Sequence, residues 1–202
     1  MKQLILNATK EAAQAASQLQ ATSTINFINE LSQTLINIFE TGHKVIIAGN
    51  GGSLCDAMHF SEELTGQFRK KRKALPAIAL CEPGHLTCVA NDMGFDEVFA
   101  RGVEAYGVKG DIFIGLTTSG RSFNIIRAFE VAKENGLLTA SFLGKTGGFL
   151  KGVADHELLI SGFNTSDRIQ EVHMAAIHII IEAVEEGLFY APNKKILTTA
   201  TQ

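Results

Sequence analysis

Two loops and two helical stretches hold the residues whose types and spacing could do chemistry. The loops are Gly49-Asn50-Gly51-Gly52-Ser53 and Thr117-Thr118-Ser119-Gly120-Arg121-Ser122. Glycines let backbone N–H groups approach an anion, hydroxyls donate to its oxygens, and a helix start adds partial positive charge. A compact phosphate suits such a cradle. A P-loop is excluded because no G-K-[ST] is present, and the first loop lacks the third glycine of the dinucleotide fingerprint. The competing reading of each loop is an ordinary strand-to-helix turn capped by Ser or Thr. The first helical stretch, Asp56 to Leu64, sets His59 and Glu63 four residues apart on one face, and Glu62 can share that face. A His and a Glu so placed can ligate one divalent metal, or the carboxylate can act as a base. A solvent-facing ion pair is the alternative. The second stretch, from Asp167, is apolar nearly all round from Val172 to Val184, so its polar members need partners. At about 100° per residue, Asp167, Glu171, Met174 and His178 form one stripe, with Gln170 about 80° from His178. A lone His among isoleucines, such as His178, is more often a core histidine than a ligand, and His173 has less to lift it from that reading.

These residues need elements to position them. Residues 2–41 contain no Gly or Pro, and apolar residues recur at helical spacing: Leu4, Ala8, Ala12, Ala15, then Leu31, Leu35, Ile38. That predicts two helices broken near Ala21-Thr22-Ser23, with Gly42 ending the second. Short apolar strands are expected at 44–49, 77–81, 111–116, 137–143 and 157–160. Helices are expected from Gly51 to Phe68, His85 to Ala105 with a turn at Met93-Gly94, Ser122 to Asn135, and Ser166 to Leu188. Apolar strands alternating with helices imply a mostly parallel sheet covered on both faces. Both glycine-rich loops then lie beyond the carboxyl ends of strands, where open parallel sheets bind ligands. The basic run Arg69-Lys70-Lys71-Arg72-Lys73 reads as a solvated loop.

Composition narrows the class. The chain has 202 residues, 46% hydrophobic and 19% charged, as in a compact soluble domain. A net charge of −3 gives no electrostatic footprint for nucleic acid. Three widely spaced cysteines, Cys55, Cys81 and Cys88, form no C-x-x-C and fit a reducing compartment. No apolar run approaches the roughly 20 residues of a membrane span. The N-terminus turns polar too early for a signal sequence. A cytoplasmic protein is expected.

Taken together, the residues resemble the phosphoheptose isomerases of the sugar-isomerase (SIS) domain superfamily over about residues 1–190. The carriers are the first loop, Cys55-Asp56-Ala57-Met58-His59-Phe60 continuing to Glu62-Glu63-Leu64-Thr65-Gly66, and Asn91-Asp92 before Gly94-Phe95. Thr118-Ser119-Gly120 with Ser122, and Asp167-Arg168-Ile169-Gln170-Glu171 followed by His173 and His178, complete the set. The resemblance implies an α/β three-layer sandwich with a five-stranded parallel sheet and a helical N-terminal segment. Residues 1–190 would be one SIS domain, with oligomerisation helices at about 1–41 and a polar tail at 191–202. It implies a homotetramer with active sites at subunit interfaces, without nucleic-acid or membrane partners.

The resemblance also implies one zinc per subunit held by His59, Glu63, Gln170 and His178. This resolves Glu63 over Glu62 and Gln170 over Glu171. Glu63 and His178 would be catalytic. Phosphate would meet Ser53, Thr118, Ser119 and Ser122, and the sugar would meet Asn50, Asp92 and Asp167. Gly51, Gly52, Asn91, Glu63 and Gln170 complete the substrate positions. The implied reaction converts D-sedoheptulose 7-phosphate to D-glycero-D-manno-heptose 7-phosphate through an enediol. It would open the route to ADP- or GDP-heptose for lipopolysaccharide core or capsule. The family's second loop commonly has Asn where Arg121 stands, and a basic residue where Gln67 stands, for which Arg69 is a candidate substitute. Other readings are a non-catalytic SIS tetramer serving as an adaptor for the replication initiator, and a sugar-phosphate-binding regulator.

Overall fold

A computed structural model describes residues 1–190. The expected tail at 191–202 lies outside the described residues. The elements run α1 (Lys2–Ser17), α2 (Thr22–Glu40), β1 (Val45–Gly49), α3 (Gly52–Thr65), β2 (Ala77–Ala79), α4 (Pro83–Asp92) and α5 (Val98–Tyr106). They continue with β3 (Ile112–Thr117), α6 (Phe123–Glu134), β4 (Leu138–Gly144), β5 (His156–Ile160) and α7 (Ser166–Glu185). The five strands form one sheet in the order β2-β1-β3-β4-β5, and every pairing is parallel.

Alternate residues of each strand face opposite sides, and both sides are apolar. Val45 and Ile47 of β1 join Phe60, Leu64, Leu35 and Ile177 in a core beneath α2, α3 and α7. Ile46 and Ala48 join Phe99, Val103, Ile125 and Phe129 beneath α5 and α6. That is the three-layer sandwich with a five-stranded parallel sheet, as expected.

Several boundaries differ from the sequence reading. The first two helices part at Gln18–Ala21, where Ala21 turns extended with ψ 137°, rather than at 21–23. β2 stops at Ala79, although Leu80 N still donates to Ile47 O at 2.9 Å. It is an edge strand with one partner, so its ladder ends early. The turn expected at Met93-Gly94 is present and separates α4 from α5. The first starts at Pro83 because the Glu82 carboxylate accepts from Gly84 N and His85 N. The last α-helix ends at Glu185 and continues as a π-helical turn, Glu186–Tyr190.

The strand order creates the ligand position. The chain passes from β1 outward to β2, then returns across β1 to β3 on its other side. Gly49 pairs with Leu116 at the carboxyl ends of β1 and β3. The loop after β1 leads to α3 on one face, and the loop after β3 leads to α6 on the other. Open parallel sheets bind ligands at such a switch point, and both glycine-rich loops follow the strands that flank it.

Candidate active site and metal centre

α3 and α7 pack side by side on the same face of the sheet. The packing brings His59 and His178, 119 residues apart, to a contact of 2.9 Å between their Nε2 atoms. Glu63 Oε1 lies 3.3 Å from His59 Nε2, and Glu62 Oε1 lies 3.3 Å from His59 Nδ1. The helix thus gives the two glutamates different neighbourhoods. Glu63 is 15% exposed and faces the convergence, whereas Glu62 is 62% exposed and takes the far ring nitrogen. One ligand atom each from His59, Glu63 and His178 lies within 4.8 Å of the others. Two imidazole nitrogens and a carboxylate oxygen converging on one point suit a borderline divalent cation such as zinc. Glu62 on the second nitrogen of His59 is the kind of partner that fixes a ligating ring.

Gln170 stands two turns before His178 on α7. Its Nε2 donates to Ser53 Oγ at 3.4 Å, and a Cβ on Gly52 would come within 2.7 Å of its amide. The start of α3 therefore carries no side chain at Gly52 because Gln170 occupies that space. Gln170 lines an open cleft of about 500 Å³ with Asp56, Asp167, Glu171 and Met174. The helical stripe Asp167, Glu171 and Met174 faces this cleft, and Asp167 is 57% exposed there.

Asp56 was not among the expected site residues. Its Oδ2 is buried without a hydrogen-bond partner. Burial pushes its carboxyl up from 3.8 to about 6, against the opposing pull of His59. Its signal was available, because 56, 59 and 63 follow the i, i+3, i+7 spacing of one helix face.

The hydroxyl loop is built at the other wall. Thr117 Oγ1 meets Ser122 Oγ at 3.1 Å, Thr118 Oγ1 meets Ser166 Oγ at 3.0 Å, and Arg121 N donates to Ser119 Oγ at 3.2 Å. Ser166, the first residue of α7, went unread because nothing local ties it to a loop 48 residues earlier. Behind the loop, Gly120 has φ +63°, and a Cβ there would fall 1.8 Å from Gly147 O. The turn after β4 is pressed onto the loop and fixes it, with Phe149 N donating to Gly120 O at 2.8 Å.

Asn50 exchanges two 2.9 Å hydrogen bonds with Asn124 of α6, so its amide is held across the crevice. Asn124 is 2% exposed and was also missed. At the end of α4, Asn91 Nδ2 donates to Asp92 Oδ1, and Cys88 Sγ donates to Asp92 Oδ2. The structure records no hydrogen bond from either to α3, α7 or the hydroxyl loop.

Other expectations need correction or placing. Arg69, the candidate substitute for a basic residue at Gln67, pairs with Glu182. Arg121 lies over the Phe149 ring at 5.9 Å. The basic run is an exposed loop at Arg69, Lys70, Lys71 and Lys73, but the Arg72 side chain is fully buried. His173 is a core histidine. Its Nε2 donates to Leu143 O at 3.0 Å, Nδ1 has no partner, and burial lowers its pKa from 6.5 to about 4.

Residues 9–144 match the family model of the SIS domain. The phosphoheptose isomerase of Fusobacterium nucleatum subsp. nucleatum is 60% identical over 160 residues, 79% of this chain and 82% of that one. That of Pectobacterium atrosepticum is 47% identical over 186 residues, 92% of this chain and 96% of that one. A solved phosphoheptose isomerase from Francisella tularensis superposes with a TM-score of 0.86 at 31% identity, covering 91% of this chain and 97% of that one. Fold, motif positions and this degree of likeness agree: the chain belongs to the SIS domain family and, within it, to the phosphoheptose isomerases.

Proposed function

We propose that the crevice between α3, α7 and the hydroxyl loop interconverts D-sedoheptulose 7-phosphate and D-glycero-D-manno-heptose 7-phosphate. The observation that carries this reading is the convergence of His59, Glu63 and His178 where α3 packs against α7. A binding module or adaptor has no use for two imidazoles and a carboxylate gathered from helices 119 residues apart.

The phosphate is taken by Ser53, Thr118, Ser119 and Ser122, with the first amides of α3 and α6 adding positive potential. Asn50, Gly51, Gly52, Asn91, Asp92 and Asp167 line the polyol. This remote binding energy orients C1 and C2 toward Glu63. Glu63 accepts a proton from C1 of the ketose, giving the cis-enediol, and returns it to C2. His178 moves the accompanying proton from the O1 hydroxyl to O2. A carboxylate placed within reach of both carbons can take the proton from one and return it to the other. Zinc would be held by His59, Glu63, His178 and the Gln170 amide oxygen, one ion per subunit. When bound it supplies Lewis-acid stabilisation of the charge developing on the substrate oxygens.

The active assembly is read as a homotetramer. α1 has 16 residues but buries only Ala15, while Leu4, Ile5 and Leu6 are 66%, 54% and 45% exposed. An apolar helical face of this kind is covered by another copy when oligomers form. Residues 1–190 form one domain in this reading, with the helices of 1–41 serving assembly. No helix among the described residues is long and apolar enough to cross a membrane. Three free cysteines fit the reducing cytoplasm. The heptose phosphate product would feed nucleotide-activated heptose for a lipopolysaccharide core or capsule.

The test is turnover of sedoheptulose 7-phosphate by the purified chain before and after metal chelation. Turnover that chelation abolishes and zinc restores is expected. No turnover in the zinc-loaded chain would return the protein to the adaptor or regulator readings.

A further inference from the structure

The segment between α3 and β2, residues 66–76, has no regular structure, yet it holds one of the most buried charged contacts in the fold. The Arg72 side chain is 0% exposed and that of Glu185 4% exposed, with Nε–Oε1 at 2.6 Å. The rest of the Arg72 guanidinium turns to the end of α3. Nη2 donates to Glu63 O at 2.5 Å, and Nη1 donates to Leu64 O at 2.8 Å, Gly66 O at 3.3 Å and Lys73 O at 3.2 Å. The last carbonyls of a helix lack partners within it, and a planar guanidinium with five donors can serve several at once. Arg72 therefore caps the turn of α3 that bears Glu63.

Glu185 stands seven residues after His178 on α7, which places both on one face. Arg69 pairs with Glu182, and Lys70 Nζ lies 3.2 Å from Glu186 Oε2. Tyr190 OH donates to Lys71 O at 2.7 Å. Between these anchors and α3, the Phe68 ring stacks on the His178 imidazole at 5.8 Å and 20°.

We propose that residues 68–72 form a strap that sets the register of α3 against α7, with Arg72 and Phe68 as positioning residues for Glu63 and His178. Glu63 and His59 project from α3, and His178 projects from α7. A slide or rotation of one helix on the other would separate groups that must meet at one centre. The buried Arg72–Glu185 pair resists that movement at the ends of both helices, and Phe68 fixes the plane of the His178 ring. This rests on the functional reading above and adds residues that touch neither substrate nor metal.

Removing Arg72 alone would leave Glu185 buried and unpaired, which is strongly destabilising. The discriminating variant is therefore Arg72→Met with Glu185→Met, since apolar residues of similar volume often replace a buried pair without loss of stability. Phe68→Leu removes the ring stack and keeps an apolar side chain. Each is compared with wild type for thermal midpoint, zinc affinity of the metal-stripped chain by chelator competition, and kcat and KM for sedoheptulose 7-phosphate.

The expected result is a folded chain with zinc affinity and kcat each lowered about tenfold or more. KM should stay within about twofold, because the phosphate loops lie on other segments. Arg72→Lys, which keeps the charge and loses the fork, should fall between. If the double variant does not fold, Phe68→Leu decides alone. Folded variants with wild-type zinc affinity and kcat would overturn the strap. Wild-type chain that neither binds zinc nor turns over sugar phosphate would overturn the functional reading instead.

Discussion

Two histidines on α7, five residues apart, have opposite fates. His178 reaches the crevice and meets His59. His173 points into the sheet, edge-on to Phe142, and is fully buried. Its folded pKa of about 4 lies below the 6.5 of an exposed histidine. The unfolded chain therefore binds a proton at this residue between those values while the folded chain does not. The contribution of His173 to stability falls as pH drops from about 6.5 toward 4 and levels off below that, while Asp56, raised to about 6, contributes in the opposite sense. Thermal unfolding of the wild type and of His173→Gln, which keeps a donor for Leu143 O, should differ in slope across this range by the His173 contribution. An unchanged slope would mean that other groups carry the acid sensitivity.

Glu63 gives the sharper residue-scale prediction. Glu63→Gln keeps the shape and removes the proton acceptor, so kcat should fall at least about a hundredfold with the fold intact. Zinc is measured in the same sample, because metal loss would imitate the effect. During turnover in D₂O the wild type should exchange carbon-bound hydrogen and the variant should not. Exchange at the wild-type rate would move the base to His178.

At the scale of elements, the hydroxyl loop is held from behind rather than from within. Its serines and threonines satisfy one another and Ser166, while the turn after β4 presses Gly147 O against Gly120. Gly120→Ala must move that turn as well as accept a positive φ. It should lower the thermal midpoint and raise KM together. Gly42→Ala meets no atom within 4 Å, so it should cost only the left-handed backbone strain, on the order of 1 kcal/mol. Equal midpoints for the two variants would show that the turn yields freely. Ser119→Ala removes one hydroxyl and no support, so it should raise KM more than it lowers kcat.

A second element-scale feature lies at the opposite end of the sheet. Asp111 is fully buried, and burial alone would raise its carboxyl. The Lys44 ammonium and the amides of Val108 and Lys44 outweigh that and hold it below the ordinary value. This cluster ties the start of β1 to the start of β3, the two strands whose far ends carry the glycine- and hydroxyl-rich loops.

At the scale of the whole molecule, the exposed residues Leu4, Ile5, Leu6 and Ile25 make the case for assembly. Light scattering at micromolar concentration should give about four times the 21.8 kDa chain mass. Leu4→Glu with Ile5→Glu should reduce that mass. A monomeric wild type would require another role for the first forty residues.

The sequence by itself determined whatever depends on neighbours along the chain. Apolar period sorted strands from helices, so the sandwich and its parallel sheet were legible. Glycines and hydroxyls marked both loops, and one helical turn put His59 and Glu63 on one face. Even there it left Glu62 against Glu63 open on spacing, because both lie within reach of His59 and only burial tells them apart. Tertiary structure decided what depends on packing between distant segments. The order β2-β1-β3 placed the two loops side by side. The docking of α7 on α3 joined His178 to His59, and Asn124 closed on Asn50. Arg72 shows the limit most clearly. In a run of five basic residues it reads as solvated, yet it is fully buried, because Glu185 and the carbonyls ending α3 offer partners that no local pattern contains.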